Sequence, residues 1–269
     1  MTDTALPRIG MGTFRLKGND ARDAVKSALS LGYRHIDTAQ MYENESEVGD
    51  GITSSGIPRR EIFLTTKIWH DQLEKNDLIN SLHDSLARLK TDHVDLTLIH
   101  WPSPDDQVPM AEYLGALKDA QREGLTTHIG VSNFTCAQMD QAVSILGEGT
   151  ILTNQVEVHP FLANRKVVEH AQSLGMTVTG YMPLAVGKVM DDETLIGIAE
   201  ARNVTPAQIA LAWVASRDVV VIPSSTRATH QKANLEALNI KLSADEIARI
   251  DKLDRNERIA NPGFAPAWD

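Results

Sequence analysis

Apolar and polar positions along the chain alternate between two periods. Short β-branched runs occur at 8–14 (RIGMGTF), 33–39 (YRHIDTA), 61–68 (EIFLTTKI) and 94–101 (VDLTLIHW). Four more follow at 127–133 (THIGVSN), 151–158 (ILTNQVEV), 176–183 (MTVTGYMP) and 219–225 (VVVIPSS). Several are nearly continuous apolar runs, the pattern of parallel strands covered on both faces. Helical stripes lie between them. Leu78, Leu82, Leu86 and Leu89 fall on one face, as do Met110, Tyr113, Leu114 and Leu117. Thr205 to Gln208 (TPAQ) reads as a capping box with Pro206 at the first helical position. Ser243 to Glu246 (SADE) repeats that logic and opens a final helix carrying Ile247, Ile250 and Leu253. Eight strand–helix units with no linker-like stretch predict an α/β fold, a single (β/α)8 TIM barrel over residues 1–269. The structural alternative is a doubly wound nucleotide fold. Its G-x-G-x-x-G turn is incomplete here, because Arg15 follows Gly10 and Gly12 where the third glycine belongs.

Composition narrows the function classes. The chain has 269 residues, 42% of them hydrophobic, and a formal net charge of −10. That charge argues against nucleic acid, since phosphate neutralisation needs a basic face. A single cysteine, Cys136, precludes an internal disulfide and suits a reducing compartment. The first residues (MTDTALPRIGMGTF) lack a basic segment followed by an apolar core, so no signal peptide is expected. No apolar run approaches the roughly 18 residues of a membrane span. A soluble cytoplasmic protein is expected, and nothing demands a partner, so a monomer is too.

A barrel concentrates function at the C-terminal ends of its strands. Asp37, Lys67 and His100 end the second, third and fourth runs. Ser132 and Asn133 end the fifth, Gln155 and Tyr181 lie late in the sixth and seventh, and Ser224 and Ser225 end the eighth. Taken singly these have ordinary readings: Asp37 as a helix cap, Tyr42 as a loop aromatic, Lys67 as a snorkelling cation, His100 as a core histidine. The nine histidines show no metal-ligand spacing, so no metal is expected. Phe134 in GVSNF stands where a nucleophile elbow needs glycine. Together, an acid, a phenol, an amine and an imidazole at consecutive rims form a candidate proton-donating site. A free tyrosine, with a pKa of about 10, is too weak an acid near neutrality. The Lys67 ammonium is expected to favour phenolate. A hundredfold gain in acidity needs roughly 2.7 kcal/mol of differential interaction. Asp37 would hold Lys67 charged, and His100 would donate to a substrate oxygen. The residues alone do not identify a hydride source.

These stretches resemble the aldo-keto reductase family along nearly the whole chain. GYRHIDTAQMYENESEVG is similar to that family's G-[FY]-R-x-[HILV]-D-[ST]-A signature with its following tyrosine and N-E-x-x-V-G block. LTTKIW, VDLTLIHWP, IGVSNF, NQVEVHP and GYMPL match further blocks in order. The closing DRNERIANPGFAPAWD looks most like the bacterial 2,5-diketo-D-gluconate reductase B group. The resemblance implies Asp37, Tyr42, Lys67 and His100 as a catalytic tetrad, and a nicotinamide cofactor bound without a Rossmann motif. By the same carry-over Ser132, Asn133 and Gln155 hold the carboxamide and Tyr181 stacks on the nicotinamide ring. Gly12, Thr13, Asp37, Pro183 and Leu184 are further contacts that the resemblance implies for the cofactor. Ser224, Ser225, Thr226, Arg227, His230 and Asn234 surround its far end. Phe14, Trp69 and Trp101 join Tyr42 and His100 in a substrate pocket. The segment IPSSTRATHQKAN departs from the family's I-P-K-S pattern, with Ser224 in the lysine place and His230 in the arginine place. Met182 likewise stands where serine is commoner. Arg227 is a nearby guanidinium suited to a phosphate. NADPH is expected, with NADH open. The expected activity is carbonyl reduction of small aldehydes, α-dicarbonyls such as methylglyoxal, or keto-sugar acids such as 2,5-diketo-D-gluconate. Two alternatives stay open: a cofactor-binding sensor barrel, and Lys67 as a Schiff-base nucleophile.

Overall fold

The computed structural model describes residues 6–269. Eight strands, β1 Met11–Gly12, β2 His35–Asp37, β3 Phe63–Ile68, β4 Val94–Ile99, β5 Thr126–Ser132, β6 Ile151–Glu157, β7 Thr177–Tyr181 and β8 Val219–Val221, pair in chain order. Every pairing is parallel. A parallel bridge between Ile9 and Val221 joins the first segment to the last, backed by Gly10 N–H to Val221 O (2.8 Å) and Val221 N–H to Arg8 O (3.1 Å). The sheet is therefore a closed (β/α)8 barrel.

Helices α1 Gly18–Leu31, α2 Glu45–Ser55, α3 Lys75–Leu89, α4 Met110–Arg122, α5 Cys136–Leu146 and α6 Arg165–Ser173 each follow one strand. The β7–β8 connection carries two, α7 Glu193–Arg202 and α8 Pro206–Ser216, and two more, α9 Ala228–Glu236 and α10 Ala244–Asp251, follow β8. The count thus exceeds one helix per strand. Asn203 adopts the left-handed conformation and ends α7, after which the Thr205–Gln208 capping box starts afresh at Pro206. Both halves of that box form, as they do at Ser243–Glu246 and, beyond what the sequence suggested, at Thr135–Gln138. The two leucine-rich stripes are buried in α3 and α4, each large side chain contributing about 1.5–3 kcal/mol of apolar burial. In α10 Ile250 is buried and Ile247 partly so, while Leu253, expected on this helix, packs against the core two residues past its end.

Most strands are shorter than the runs that announce them, β1, β2 and β8 by the most. Residues 33 and 34 belong to the close of α1, where Tyr33 N–H bonds Ala28 O. At the end of β8, Pro223 has no N–H to give the ladder, so Ser224 and Ser225 lie in the following loop. In β1 the chain leaves the ladder after Gly12. A Cβ there would sit 2.6 Å from Ile222 O, so close passage of β1 beside β8 requires glycine.

Candidate active site

Residues two apart on a strand share a face, and the inward face of this barrel is unusually polar. Asp37, Thr65, Lys67, Thr153, Gln155, Glu157 and Thr179 are all buried. At the C-terminal rim the first of these assemble around one carboxylate. Lys67 Nζ donates to Asp37 Oδ1 at 2.5 Å, to Thr38 O at 2.9 Å and to Tyr42 Oη at 3.2 Å. Gln155 Nε2 donates to Asp37 Oδ2 at 2.8 Å, and Thr13 donates N–H and Oγ1–H to the Asp37 carbonyl. Asp37 caps no helix. The short 3-10 turn that follows it, Gln40–Tyr42, is capped by Ala39 and brings the Tyr42 ring back over Lys67. Lys17 anchors that turn by donating to Tyr42 O at 2.8 Å.

The rings pack in sequence. Tyr42 lies 5.1 Å from Phe14 and 5.7 Å from His100 between centroids, and Trp69 meets His100 edge-on at 5.1 Å. His100 is buried, and its Nδ1 has no hydrogen-bond partner among the described residues. Burial, helped by the nearby Lys67 and His70 charges, holds its imidazole neutral well below the ordinary histidine range. Burial also pulls Lys67 below the usual lysine range, opposed by Asp37 and by buried Glu45. The phenol of Tyr42 moves the other way from the sequence expectation. Burial, with the Asp37 carboxylate adding to it, pushes it well above 10. Desolvating a phenolate in this pocket outweighs its attraction to one ammonium that is already paired.

Above these groups opens a cavity of about 570 Å³. Of the residues singled out from sequence, Gly12, Phe14, Asp37, Tyr42, His100, Trp101, Asn133, Gln155 and Tyr181 border it. Pro183, Leu184, Ser224, Ser225, Thr226 and Arg227 form its further wall. Six do not border it. Lys67 lies behind Asp37 and Tyr42, Thr13 points to the Asp37 carbonyl, and Ser132 donates to Gln155 O at 2.8 Å behind Asn133. Asn234 is buried on α9 beside Tyr33, and His230 is exposed one turn beyond Arg227. Trp69 packs edge-on against Phe264 of the C-terminal tail, 5.8 Å away. The amides form a relay: Asn133 Nδ2 donates to His100 O, and Tyr181 Oη donates to Asn133 Oδ1 at 2.7 Å.

Several residues were missed by sequence reasoning. Asn44 donates to Thr13 O and Leu16 O, tying the β1 loop to the β2 loop. Gln40 Oε1 accepts from Trp69 N–H at 2.9 Å and so fixes the segment after β3. Arg15, Met41 and Val186 border the cavity, as does Ala260 from the tail. Asn44 lies inside the quoted signature, but contacts between loops far apart in sequence leave no local pattern to read.

Comparison with known proteins completes the description. The model of the aldo/keto reductase family matches residues 8–255. The methylglyoxal reductase DkgB of Escherichia coli O157:H7 is 51% identical over 266 residues, spanning 98% of this chain and 100% of that protein. The crystal structure of a candidate 2,5-diketo-D-gluconic acid reductase B superposes with a TM-score of 0.94 at 44% identity, covering 98% of this chain and 94% of that one. The Bombyx mori aldo-keto reductase AKR2E4, solved in complex with NADP, gives a TM-score of 0.89 at 32% identity, covering 97% and 95%.

Proposed function

Because the chain belongs to the aldo/keto reductase family, whose members here are carbonyl reductases, we propose that it reduces small carbonyl compounds with NADPH, Tyr42 supplying the proton. The observation that carries this reading is the Asp37–Lys67–Tyr42 chain, at 2.5 and 3.2 Å, set beside a neutral imidazole at the cavity floor.

The raised pKa of Tyr42 is compatible with that role. The phenol meets the substrate protonated. An alcohol is a far weaker acid than a phenol, so a developing alkoxide still takes the proton from Tyr42. As the Tyr42 O–H bond breaks, the charge left on Oη lies 3.2 Å from the Lys67 ammonium. Neutral His100 carries one N–H, which would polarise the carbonyl oxygen from the other side. Asp37 keeps Lys67 charged and, through Gln155, fixes the back wall.

The residues fit a dinucleotide. The Asn133 and Gln155 amides, the Tyr181 ring and residues 222–227 all border the one cavity. The bound dihydronicotinamide would supply the hydride. Arg227, an exposed cation on the cavity wall, would grip a 2′-phosphate, while His230 lies off the cavity. The AKR2E4 complex supports NADP, and the DkgB relatives support methylglyoxal as a substrate. 2,5-Diketo-D-gluconate is the second candidate. We read residues 1–269 as one domain working as a cytoplasmic monomer. No helix among the described residues is long and apolar enough to cross a membrane. The Schiff-base alternative is disfavoured because Lys67 is fully buried and does not reach the cavity.

The test is Tyr42→Phe. Carbonyl reduction should fall by at least about a hundredfold, the range of a lost general acid, with cofactor binding retained. Near-normal turnover overturns the assignment. Assays with NADPH and NADH side by side, on methylglyoxal and 2,5-diketo-D-gluconate, decide the cofactor. Equal efficiency would remove the role given to Arg227.

A further inference from the structure

Two residues beyond Gln155 on β6, and on the same inward face, stands a second carboxylate that the proposed chemistry does not use. Glu157 is completely buried, yet it does not border the cavity. Its partners are His159 Nε2 at 2.8 Å and two consecutive backbone N–H groups of the tail. Ile259 N–H donates to Oε1 at 2.8 Å and Ala260 N–H to Oε2 at 2.7 Å. Ala260 borders the cavity, and Tyr181 is the register partner of Glu157 on β7.

The rest of the tail hangs from this point. Arg258 stacks over Trp268 at 3.7 Å, and Trp268 meets Trp101, which borders the cavity, at 5.9 Å. Phe264 wedges against Trp69, His70 and Trp101 at 5.8, 4.4 and 5.5 Å. Beyond them Asp269 accepts from Cys136 N–H at 2.8 Å. Residues 261–268 thus form a span fixed at both ends, with Phe264 and Trp268 packed behind Trp101, which itself borders the cavity.

We infer that Glu157 is a positioning residue for the substrate: a carboxylate latch, oriented by His159, that holds the tail as the substrate-side wall and limits the size of the carbonyl admitted. Its oxygens suit this work because both accept, and a charged acceptor holds backbone N–H groups more strongly than a neutral one. The inference rests on the carbonyl reductase reading.

The experiment compares wild type with Glu157→Gln, whose amide nitrogen cannot accept, and with Ile259→Pro, which removes one donor from the tail and leaves the barrel unchanged. Methylglyoxal, a bulky aromatic aldehyde and NADPH are the probes, with limited proteolysis of 261–268 read in parallel. Both variants should raise KM for methylglyoxal about tenfold with a smaller change in kcat, in line with one lost charge-assisted hydrogen bond. They should also raise the ratio of bulky to small carbonyl turned over, speed cleavage of the tail and leave NADPH binding unchanged. The double variant should be no worse than either single one. Unchanged KM and tail protection in both variants would overturn the latch. So would a Glu157→Gln enzyme that melts early and loses NADPH while Ile259→Pro behaves as wild type. If no variant, and not wild type either, reduces any carbonyl, the functional reading fails, while proteolysis still reports whether the latch holds.

Discussion

His35 lies on the same inward face as Asp37, two residues earlier on β2, bonded through Nε2 to Thr65 Oγ1 at 3.1 Å. Burial lowers its pKa from 6.5 to about 4, so the folded protein keeps it neutral where the unfolded chain would protonate it. Between those values the unfolded state binds more protons, and stability falls as pH drops from 6.5 towards 4. The loss is about 3 kcal/mol when complete, and about 1.4 kcal/mol per pH unit at its steepest. His100, also held neutral, adds to the same slope. Denaturant unfolding of His35→Gln across this window should show a slope shallower by about one proton than wild type, whatever its absolute stability. An identical slope would mean His35 is not the buried neutral group described here. At this scale the sequence was informative about which groups lie together: Asp37, Lys67 and His100 at or beside strand ends and Tyr42 in the turn after β2 come into proximity. It misjudged what depends on desolvation. The pull of Lys67 on Tyr42 was legible, but the burial that reverses its effect was not. Glu157 passed unnoticed because its backbone partners in the tail come from about a hundred residues away.

Among elements, the caps and breakers were the most legible features. The Thr205 and Ser243 boxes form as their local spacing dictates, because both partners lie within one helical turn. Thr205→Ala should cost about 1 kcal/mol of stability, measurable by denaturant midpoint at constant m-value. The cost should be no smaller than for an ordinary cap, since α8 is buried along almost its whole length. No change would mean that packing of α8 alone fixes its start. Strand ends were less legible. The apolar runs continue past the last ladder bond at β1 and β8, where side chains stay buried against the rim although the backbone has left the sheet. Hydropathy reports burial, and only the proline and the tight glycine passage report where pairing stops. The starts of the second helices after β7 and β8 were marked by those same boxes, whereas the left-handed Asn203 that ends α7 had no distinctive pattern.

Over the whole molecule, charge is distributed against its total. The chain carries −10, yet the charged residues bordering the cavity are Arg15, Arg227 and Asp37, the last already paired with Lys67. A polyanionic cofactor would be drawn to a positive mouth on a negative body, an effect that salt screens over about 8–10 Å. The association rate of NADPH should therefore fall as ionic strength rises, and Arg227→Ala should weaken both that dependence and NADPH affinity by about tenfold, with NADH little affected. Stopped-flow tryptophan quenching measures both, and a salt-independent rate would exclude steering. The net charge was legible in the sequence; its local reversal needed the fold, which brings the loops after β1 and β8 to one opening.

That opening lies across the barrel's seam. β1 contributes only two residues and β8 three, so the closure hangs on few rungs, such as Gly10 to Val221 and Gly12 to Pro223. Gly12, Phe14 and Arg15 border the cavity on one side of this join, and residues 222–227 on the other. A ligand spanning the two flanks acts as a clasp across the barrel's thinnest suture. Its binding free energy is then concentrated where the cylinder would first gape, so a resting enzyme and a charged one would differ most in how readily that suture breathes.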